Sequence, residues 1–183
     1  MRIVAGKWRG RPLRAPKGLA VRPTSDRVRE AIFDILGGGV EGASVLDLFA
    51  GSGALGLEAI SRGASRGVFV ESDPAAFGFL RKNIESLGAG EAEAILLDYR
   101  QALRRLGARS MRFDLVFLDP PYGKGLAADA AARLSRAEIV APGGTVAVEE
   151  AVRTPEAAFP EAWELSADRR YGDTRVMLFR VSP

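Results

Sequence analysis

The chain has 183 residues, of which 47% are hydrophobic and 27% charged, and it contains neither cysteine nor histidine. This length and balance favour one globular domain, and the missing residue types exclude disulfides, the usual zinc sites and catalysis by Ser-His-Asp or Cys-His groups. No apolar run reaches the ~18 residues of a membrane span, and the N-terminus lacks the pattern of a signal peptide. We therefore expect a cytoplasmic protein that needs no metal ion.

Residues 1–20 are basic and contain several glycines and prolines, which predicts a small β-hairpin arm ahead of a domain over residues 21–183. The first thirty residues carry nine Lys or Arg against two acids, a charge of +7, whereas the rest of the chain carries −4. Positive charge concentrated at one end suits a polyanionic partner such as nucleic acid. A basic face that is merely solvated is the alternative.

A helix is predicted after the arm, with N-cap candidates over residues 23–26 and an end at the triple glycine of residues 37–39. Apolar residues at helical spacing are expected to form its buried face: Val28, Ala31, Ile32, Ile35 and Leu36.

From residue 44 onward, short apolar runs alternate with helical patterns, which is typical of a parallel sheet covered on both faces. The predicted strands cover residues 44–49, 67–71, 92–97, 113–119 and 144–149. The predicted helices start at residue 54 and cover residues 74–86, 101–106 and 127–139. The tail differs, because residues 163–170 and 175–181 flank a turn and predict an antiparallel hairpin.

The first predicted strand runs into a glycine-rich turn that opens a helix, and Gly51, Gly53 and Gly56 match G-x-G-x-x-G. Asp47 lies at the end of that strand, where a dinucleotide would bring its pyrophosphate, and a carboxylate there repels a diphosphate. It would attract the ammonium group of S-adenosylmethionine instead, while the glycines let the backbone approach the cofactor. S-adenosylmethionine is therefore preferred over a dinucleotide, and a tight turn without a ligand is the structural alternative.

Two further acids end predicted strands. Glu71 can accept hydrogen bonds from ribose hydroxyls, and Asp98 can accept one from the adenine amino group. The candidate cofactor-binding residues are Asp47, Phe49, Gly51, Gly53, Glu71 and Asp98.

A second motif, Asp119-Pro120-Pro121-Tyr122, follows the fourth strand. The two prolines lack N–H donors, so the turn presents acceptors that complement the two N–H groups of an exocyclic amine. If Asp119 and the Pro120 carbonyl hold those hydrogens, the nitrogen lone pair points at the methyl donor. Tyr122 offers a flat face for an extruded base. The four residues are the candidate catalytic site, and a rigid turn is the alternative.

The chain resembles the RsmD family of bacterial small-subunit ribosomal RNA guanine-N2 methyltransferases. The resemblance covers nearly the whole length and is carried by residues 2–7, 22–30, 45–56, 119–122 and 171–174. It implies a Rossmann-like class I S-adenosylmethionine-dependent methyltransferase fold, with a seven-stranded, mostly parallel α/β sheet. It also implies guanine 966 of 16S RNA, in the family's RNA numbering, as the target, and the small ribosomal subunit as the partner of a monomeric enzyme.

The resemblance implies that the arm binds RNA through Lys7, Trp8, Arg9 and Arg11. Trp8 would either stack on a base or pack the arm against the domain. A DNA adenine-N6 methyltransferase, a protein or small-molecule amine methyltransferase and a non-catalytic RNA-binding factor remain alternatives. The first lacks room for a separate domain that reads duplex DNA, the second leaves the basic arm unexplained, and the third would require damaged motifs.

Overall fold

The computed structural model describes residues 1–15, 26–121, 125–155 and 158–182, in which helices and strands alternate as the sequence predicts. The helices are α1 (Asp26–Leu36), α2 (Ala54–Ser61), α3 (Pro74–Leu87), α4 (Tyr99–Ala108) and α5 (Leu126–Arg136). The strands are β1 (Ser44–Asp47), β2 (Arg66–Glu71), β3 (Ala92–Leu96), β4 (Phe113–Leu118), β5 (Val140–Ala151), β6 (Trp163–Tyr171) and β7 (Thr174–Val181).

The strands described form one seven-stranded sheet in the order β3-β2-β1-β4-β5-β7-β6. Strands β1 to β5 are parallel to one another, whereas β7 lies antiparallel between β5 and β6. This confirms the predicted α/β fold with an antiparallel C-terminal hairpin. The chain moves outward from β1 to β3 and then returns to the other side of β1 at β4, so the crevice between β1 and β4 is the topological switch point where such sheets bind ligands.

Two hydrophobic cores cover the faces of the sheet. The first includes Val28, Leu57 and Leu80 from α1, α2 and α3, and the second includes Leu103 and Leu134 from α4 and α5. No helix formed by the described residues is both long and apolar enough to cross a membrane.

Helix α1 buries a different face from the one predicted. Val28 and Ile32 are buried as expected, but Ile35 is 37% exposed, while Arg29 and Phe33 are buried. Arg29 can be buried because its guanidinium group pairs with Asp26 and Glu58 and donates to the carbonyl of Arg2. The helix ends before residues 37–40, as predicted, whereas the cap candidates 23–25 lie outside the described residues.

The described part of the arm folds back on itself. Arg2 and Pro12 form an antiparallel bridge, the Ile3 N–H donates to the Arg11 carbonyl at 2.9 Å, and a short 3₁₀ helix occupies the bend. Ile3 and Leu13 are buried in the first core. The arm therefore packs against the sheet domain, and its predicted boundary at residue 20 lies outside the described residues.

Candidate active site

Four predicted site residues lie where parallel strands end. Asp47 and Glu71 are the last residues of β1 and β2, Asp98 follows β3 by two residues, and Asp119 comes directly after β4. Asp47 is the register partner of Phe117, so Asp119 lies two residues beyond it along the neighbouring strand. The fold thus brings the candidate cofactor-binding and catalytic residues to one edge of the sheet, at the switch point.

Asp47 has a buried carboxyl group in which one oxygen accepts a hydrogen bond and the other does not. Its Oδ2 accepts the Gly56 N–H at 3.0 Å, whereas its Oδ1 is buried and accepts no hydrogen bond from any residue that the structure describes. Burial raises the pKa of Asp47 to about 7, and the Glu71 charge adds to the rise, whereas the backbone N–H groups of Gly56 and, to a smaller extent, Phe49 oppose it. A buried oxygen without a partner is costly, so this site fits a cationic ligand group such as the ammonium of S-adenosylmethionine.

The two glycines of the turn have different surroundings, because a Cβ at Gly51 would face open space whereas a Cβ at Gly53 would come within 2.5 Å of Leu80 Cδ1. Gly51 has a φ of +54°, and the position that a Cβ would take there meets no atom within 4 Å, while Gly53 caps the start of α2. Glu71 shapes this turn, because its carboxylate accepts the Gly51 N–H and the Asp73 N–H, each at 2.7 Å. Carboxylate oxygens have further lone pairs, so Glu71 can still accept from ribose hydroxyls.

Asp98 and Phe49 occupy the neighbouring wall. Asp98 caps α4 by accepting the Arg100 N–H at 2.9 Å. The same carboxylate would therefore have to bind adenine while it caps the helix. The Phe49 ring lies 5.1 Å from the Tyr99 ring, centroid to centroid. The Tyr99 hydroxyl donates to Asp129. Burial, together with this hydrogen bond, raises the pKa of Tyr99 to about 12.

The residues of the turn after β4 differ in their exposure to solvent. Asp119 is half-buried, Pro120 is buried and Pro121 is exposed. Neither proline has an N–H group, so neither can compete with an amine for the Asp119 carboxylate. Tyr122, the last member of the predicted catalytic site, lies outside the described residues.

The tip of the arm is not brought to this edge. Lys7 Nζ lies 2.6 Å from a Glu91 carboxylate oxygen, and Arg11 donates to the Ser86 carbonyl at 2.7 Å. Ser86 lies in the last turn of α3, and Glu91 directly precedes β3. At ~3.3 Å per residue, Glu91 is about 16 Å from the carboxyl end of that five-residue strand, at the opposite edge of the sheet.

The two other arm candidates differ in exposure. Trp8 is half-buried, packs against the first core and has Lys7 Nζ 4.4 Å from its ring centroid. Arg9 is exposed. A nucleic acid that touched both the arm and the strand-end site would therefore have to extend across one face of the protein.

Sequence reasoning missed the residues that fix the arm. Glu58 is fully buried in α2 and accepts the N–H groups of Val4 and Ala5 at 2.7 and 2.9 Å, and it also pairs with Arg62. The only signal in the sequence is an acidic residue within an otherwise apolar helix. Ser61, in the same helix, lies so close to Gly6 that a Cβ on that glycine would come within 1.8 Å of the Ser61 carbonyl oxygen.

Asn83 is a second missed residue, fully buried in α3 and bonded to both the arm and the glycine-rich turn. Its partners are 69 and 31 residues away along the chain. No local pattern reports contacts at such separations.

Comparison with known proteins agrees with the geometry. Residues 1–180 match the family described as conserved hypothetical protein 95. The chain is 36% identical over 180 residues to ribosomal RNA small subunit methyltransferase D of Escherichia coli strain K12, an alignment that covers 98% of this chain and 89% of that protein. Among solved structures, it is similar to yhhF of Escherichia coli, with a TM-score of 0.88, 37% identity and coverage of 100% and 98% of the two chains.

A more distant structure shares the fold. An RNA methyltransferase from Salinibacter ruber, solved in complex with S-adenosyl-L-homocysteine, has a TM-score of 0.63 and 21% identity, over 87% of this chain and 94% of that one.

Proposed function

The chain belongs to the family described as conserved hypothetical protein 95, the RsmD family, and from that membership and the strand-end site we propose that it methylates the N2 amino group of a guanine in small-subunit ribosomal RNA. It is a methyltransferase of ribosomal RNA, and the donor of the methyl group is S-adenosyl-L-methionine. We further propose that the target is the guanine at position 966 and that the protein acts as a monomer.

The proposal rests on one observation: two carboxylates lie at the ends of adjacent strands, at the switch point. Asp47 is buried and has one oxygen without a hydrogen-bond partner among the described residues, and Asp119 is followed by two prolines. The first suits a cation and the second suits an amine. When bound, S-adenosyl-L-methionine supplies an electrophilic methyl group on a positively charged sulfur. Asp47 would hold the ammonium group, the backbone at Gly51 and Gly53 would admit the cofactor, and Glu71 would bind the ribose.

The adenine side of the cofactor site is assigned to the remaining candidates. Asp98 would accept the adenine amino group alongside its role as a helix cap, and Phe49 would pack near the ring. Behind Phe49, the Tyr99 hydroxyl donates to Asp129, and Arg133 Nε lies 2.8 Å from the same carboxylate. These residues would restrict the position of the cofactor along the edge of the sheet.

Asp119 and the Pro120 carbonyl act on the acceptor. Together they would accept the two N–H groups of the guanine amine, which turns the nitrogen lone pair towards the methyl group. The nitrogen becomes acidic as its new bond forms, so its proton can pass to Asp119 or to water without a histidine base. Tyr122 is assigned the face on which the extruded base stacks.

The basic arm is assigned to the RNA outside the target nucleotide. Arg9 is exposed at its tip, and Lys7 and Arg11 are exposed beside it although each already has a protein contact. Phosphate contacts there would position the RNA, while the strand-end site selects the base. An extended, folded RNA in the small subunit can reach both places.

The proposal is tested by incubating the protein with methyl-labelled S-adenosylmethionine and three acceptors: unmodified small ribosomal subunits, naked small-subunit RNA and adenine-containing DNA. We expect label in the ribosomal acceptors and background label in DNA. Label that is greater in DNA would overturn the RNA assignment in favour of adenine-N6 methylation. An Asp119→Ala variant, assayed beside the wild type, reports any contaminating activity.

A further inference from the structure

The side chain of Asn83 bonds to two parts of the molecule that have separate proposed tasks. Its Oδ1 accepts the backbone N–H of Arg14 at 2.8 Å, and its Nδ2 donates to the Arg14 carbonyl and to the Ser52 carbonyl, each at 2.9 Å. Arg14 belongs to the described part of the arm, and Ser52 lies between Gly51 and Gly53 in the glycine-rich turn. One buried amide therefore joins the arm to the cofactor turn.

The pattern of donors and acceptors fixes the orientation of this amide. Only the oxygen can receive the Arg14 N–H, and only the nitrogen has hydrogens for the two carbonyls. Asn83 is 0% exposed, so water cannot replace a bond that breaks, and a lost partner leaves a buried polar group unsatisfied. A shift of the arm at Arg14 must therefore strain the bond to Ser52 or move the turn.

Helix α2 provides a second connection between the glycine-rich turn and the arm. Helix α2 begins immediately after the turn, with Gly53 at its N-cap, and carries Glu58 one helical turn further along. Glu58 accepts the N–H groups of Val4 and Ala5, so the other strand of the arm is held by the helix that the turn initiates. The arm is thus fixed at both of its strands to elements that shape the cofactor turn.

We propose that Asn83 is a positioning residue that couples occupancy of the cofactor site to the order of the arm. Cofactor that stabilises the turn also stabilises the bond from Asn83 to Ser52 and, through the shared amide, the attachment of the arm. Coupling of this kind is reciprocal, so a ligand that orders the arm tightens cofactor binding by the same factor. The part that concerns RNA rests on the proposed function, whereas the link between turn and arm does not.

The link is tested without RNA by amide hydrogen exchange at Ile3 and Leu13, whose N–H groups donate to Arg11 and Met1 within the arm and not to Asn83. In the wild type, S-adenosyl-L-homocysteine should slow exchange at these amides about threefold or more. Asn83→Asp keeps an acceptor for the Arg14 N–H but loses the donor to both the Arg14 and the Ser52 carbonyls. Exchange without ligand should therefore be faster than in the wild type, and the slowing of exchange by ligand should disappear.

Two further variants keep the result interpretable. Asn83→Ala should abolish the response even if the buried carboxylate of Asn83→Asp prevents folding. Leu106→Ala, a fully buried position in the second core on the opposite face, should destabilise the protein and yet keep the response. A response to ligand that persists in both Asn83 variants, or that is lost equally in Leu106→Ala, would overturn the proposed role.

To test whether RNA on the arm affects the cofactor site, the dissociation constant of S-adenosyl-L-homocysteine is measured with and without small-subunit RNA. We expect RNA to tighten binding on the order of fivefold in the wild type and to have almost no effect in Asn83→Ala. Equal tightening in both proteins contradicts the role of Asn83. If RNA does not bind the wild type, the proposed function fails, while the exchange experiment still decides whether Asn83 links turn and arm.

Discussion

Asp47 illustrates a residue whose environment is unfavourable in the ligand-free protein. It is 1% exposed, and its raised pKa means that the folded state resists ionisation of this carboxyl group. Its contribution to stability is therefore fully present below the ordinary pKa near 3.8 and is lost as the pH rises through about 7. A cationic ligand would remove this penalty at neutral pH by pairing with the charge.

Replacing Asp47 with asparagine should separate stability from binding. Asp47→Asn cannot ionise, so at pH 8 the ligand-free variant should be more stable than the wild type by roughly 1 to 4 kcal/mol, and the difference should shrink towards pH 4. Denaturant unfolding at both pH values measures this. A variant that is less stable than the wild type at pH 8 would show that the charged form is already satisfied.

Cofactor affinity should follow the ionisation of the same residue. Because the carboxylate form binds the cation, the dissociation constant of S-adenosylmethionine should increase up to about tenfold for each pH unit below about 7. Calorimetric titration between pH 5.5 and 8.5 measures the slope. Asp47→Asn should bind more weakly and with a flatter profile, and an equally steep profile in that variant would place the titrating group elsewhere.

Asp119 should matter for turnover far more than for cofactor binding. Asp119→Asn keeps the shape of the side chain but removes its charge, so we expect turnover to fall on the order of 100-fold while the dissociation constant of the cofactor changes about twofold or less. Asp34→Asn, the same change at an exposed position of α1, serves as the control. Undiminished turnover in Asp119→Asn would exclude Asp119 from the amine site.

At the scale of elements, the arm supports a graded prediction. Lys7 is paired with Glu91, whereas Arg9 is exposed, so Arg9→Gln should weaken RNA binding more than Lys7→Gln does. Each lost phosphate contact should lower the slope of log affinity against log salt by about 0.7 to 0.9. Arg104→Gln, an equal charge change at an exposed position of α4, provides the control. Equal losses for Arg9→Gln and Arg104→Gln would indicate a nonspecific effect of charge.

The elements differ in how far the sequence predicts them. Strands β1, β2 and β4 are mostly buried apolar runs with clear ends, so the acids at their carboxyl ends can be placed on one edge of the sheet from the sequence alone. Strand β3 is less buried, and its Leu96 is 43% exposed. The buried face of α1 could not be predicted in this way, because Arg29 enters the core only through partners at distant positions, among them Glu58. Apolar periodicity favoured Ile35 instead, since it records hydrophobicity and not the pairing of buried charges.

The candidate site shows the same limit. Asp47 and Asp119 stood out because their motifs are local, whereas Asn83 acts through bonds between segments that are far apart in the chain. The arm was expected to be basic and hairpin-like, but its tip at Lys7 lies near Glu91, away from the strand-end site. Only the packing of the arm on α2 and α3 determines that position.

At the scale of the whole molecule, one sheet edge holds the chemistry and one face holds the basic arm. This arrangement suits a folded polyanion that presents a single base to the edge while its backbone crosses the face. Such a substrate is larger than a nucleotide and more extended than a short loop, which is why small subunits should be better acceptors than small fragments of their RNA. Comparing methyl transfer to the two at equal concentration tests this expectation.

The most direct test of the central claim is to identify the methylated nucleoside. Small ribosomal subunits lacking the modification would be treated with the protein and S-adenosylmethionine, and their RNA would be digested to nucleosides and separated against standards. The account predicts N2-methylguanosine with the wild type and very little of it with Asp119→Asn. Methylation at a ring nitrogen, a ribose hydroxyl or adenine would contradict the assignment of Asp119 and Pro120 to a guanine amine.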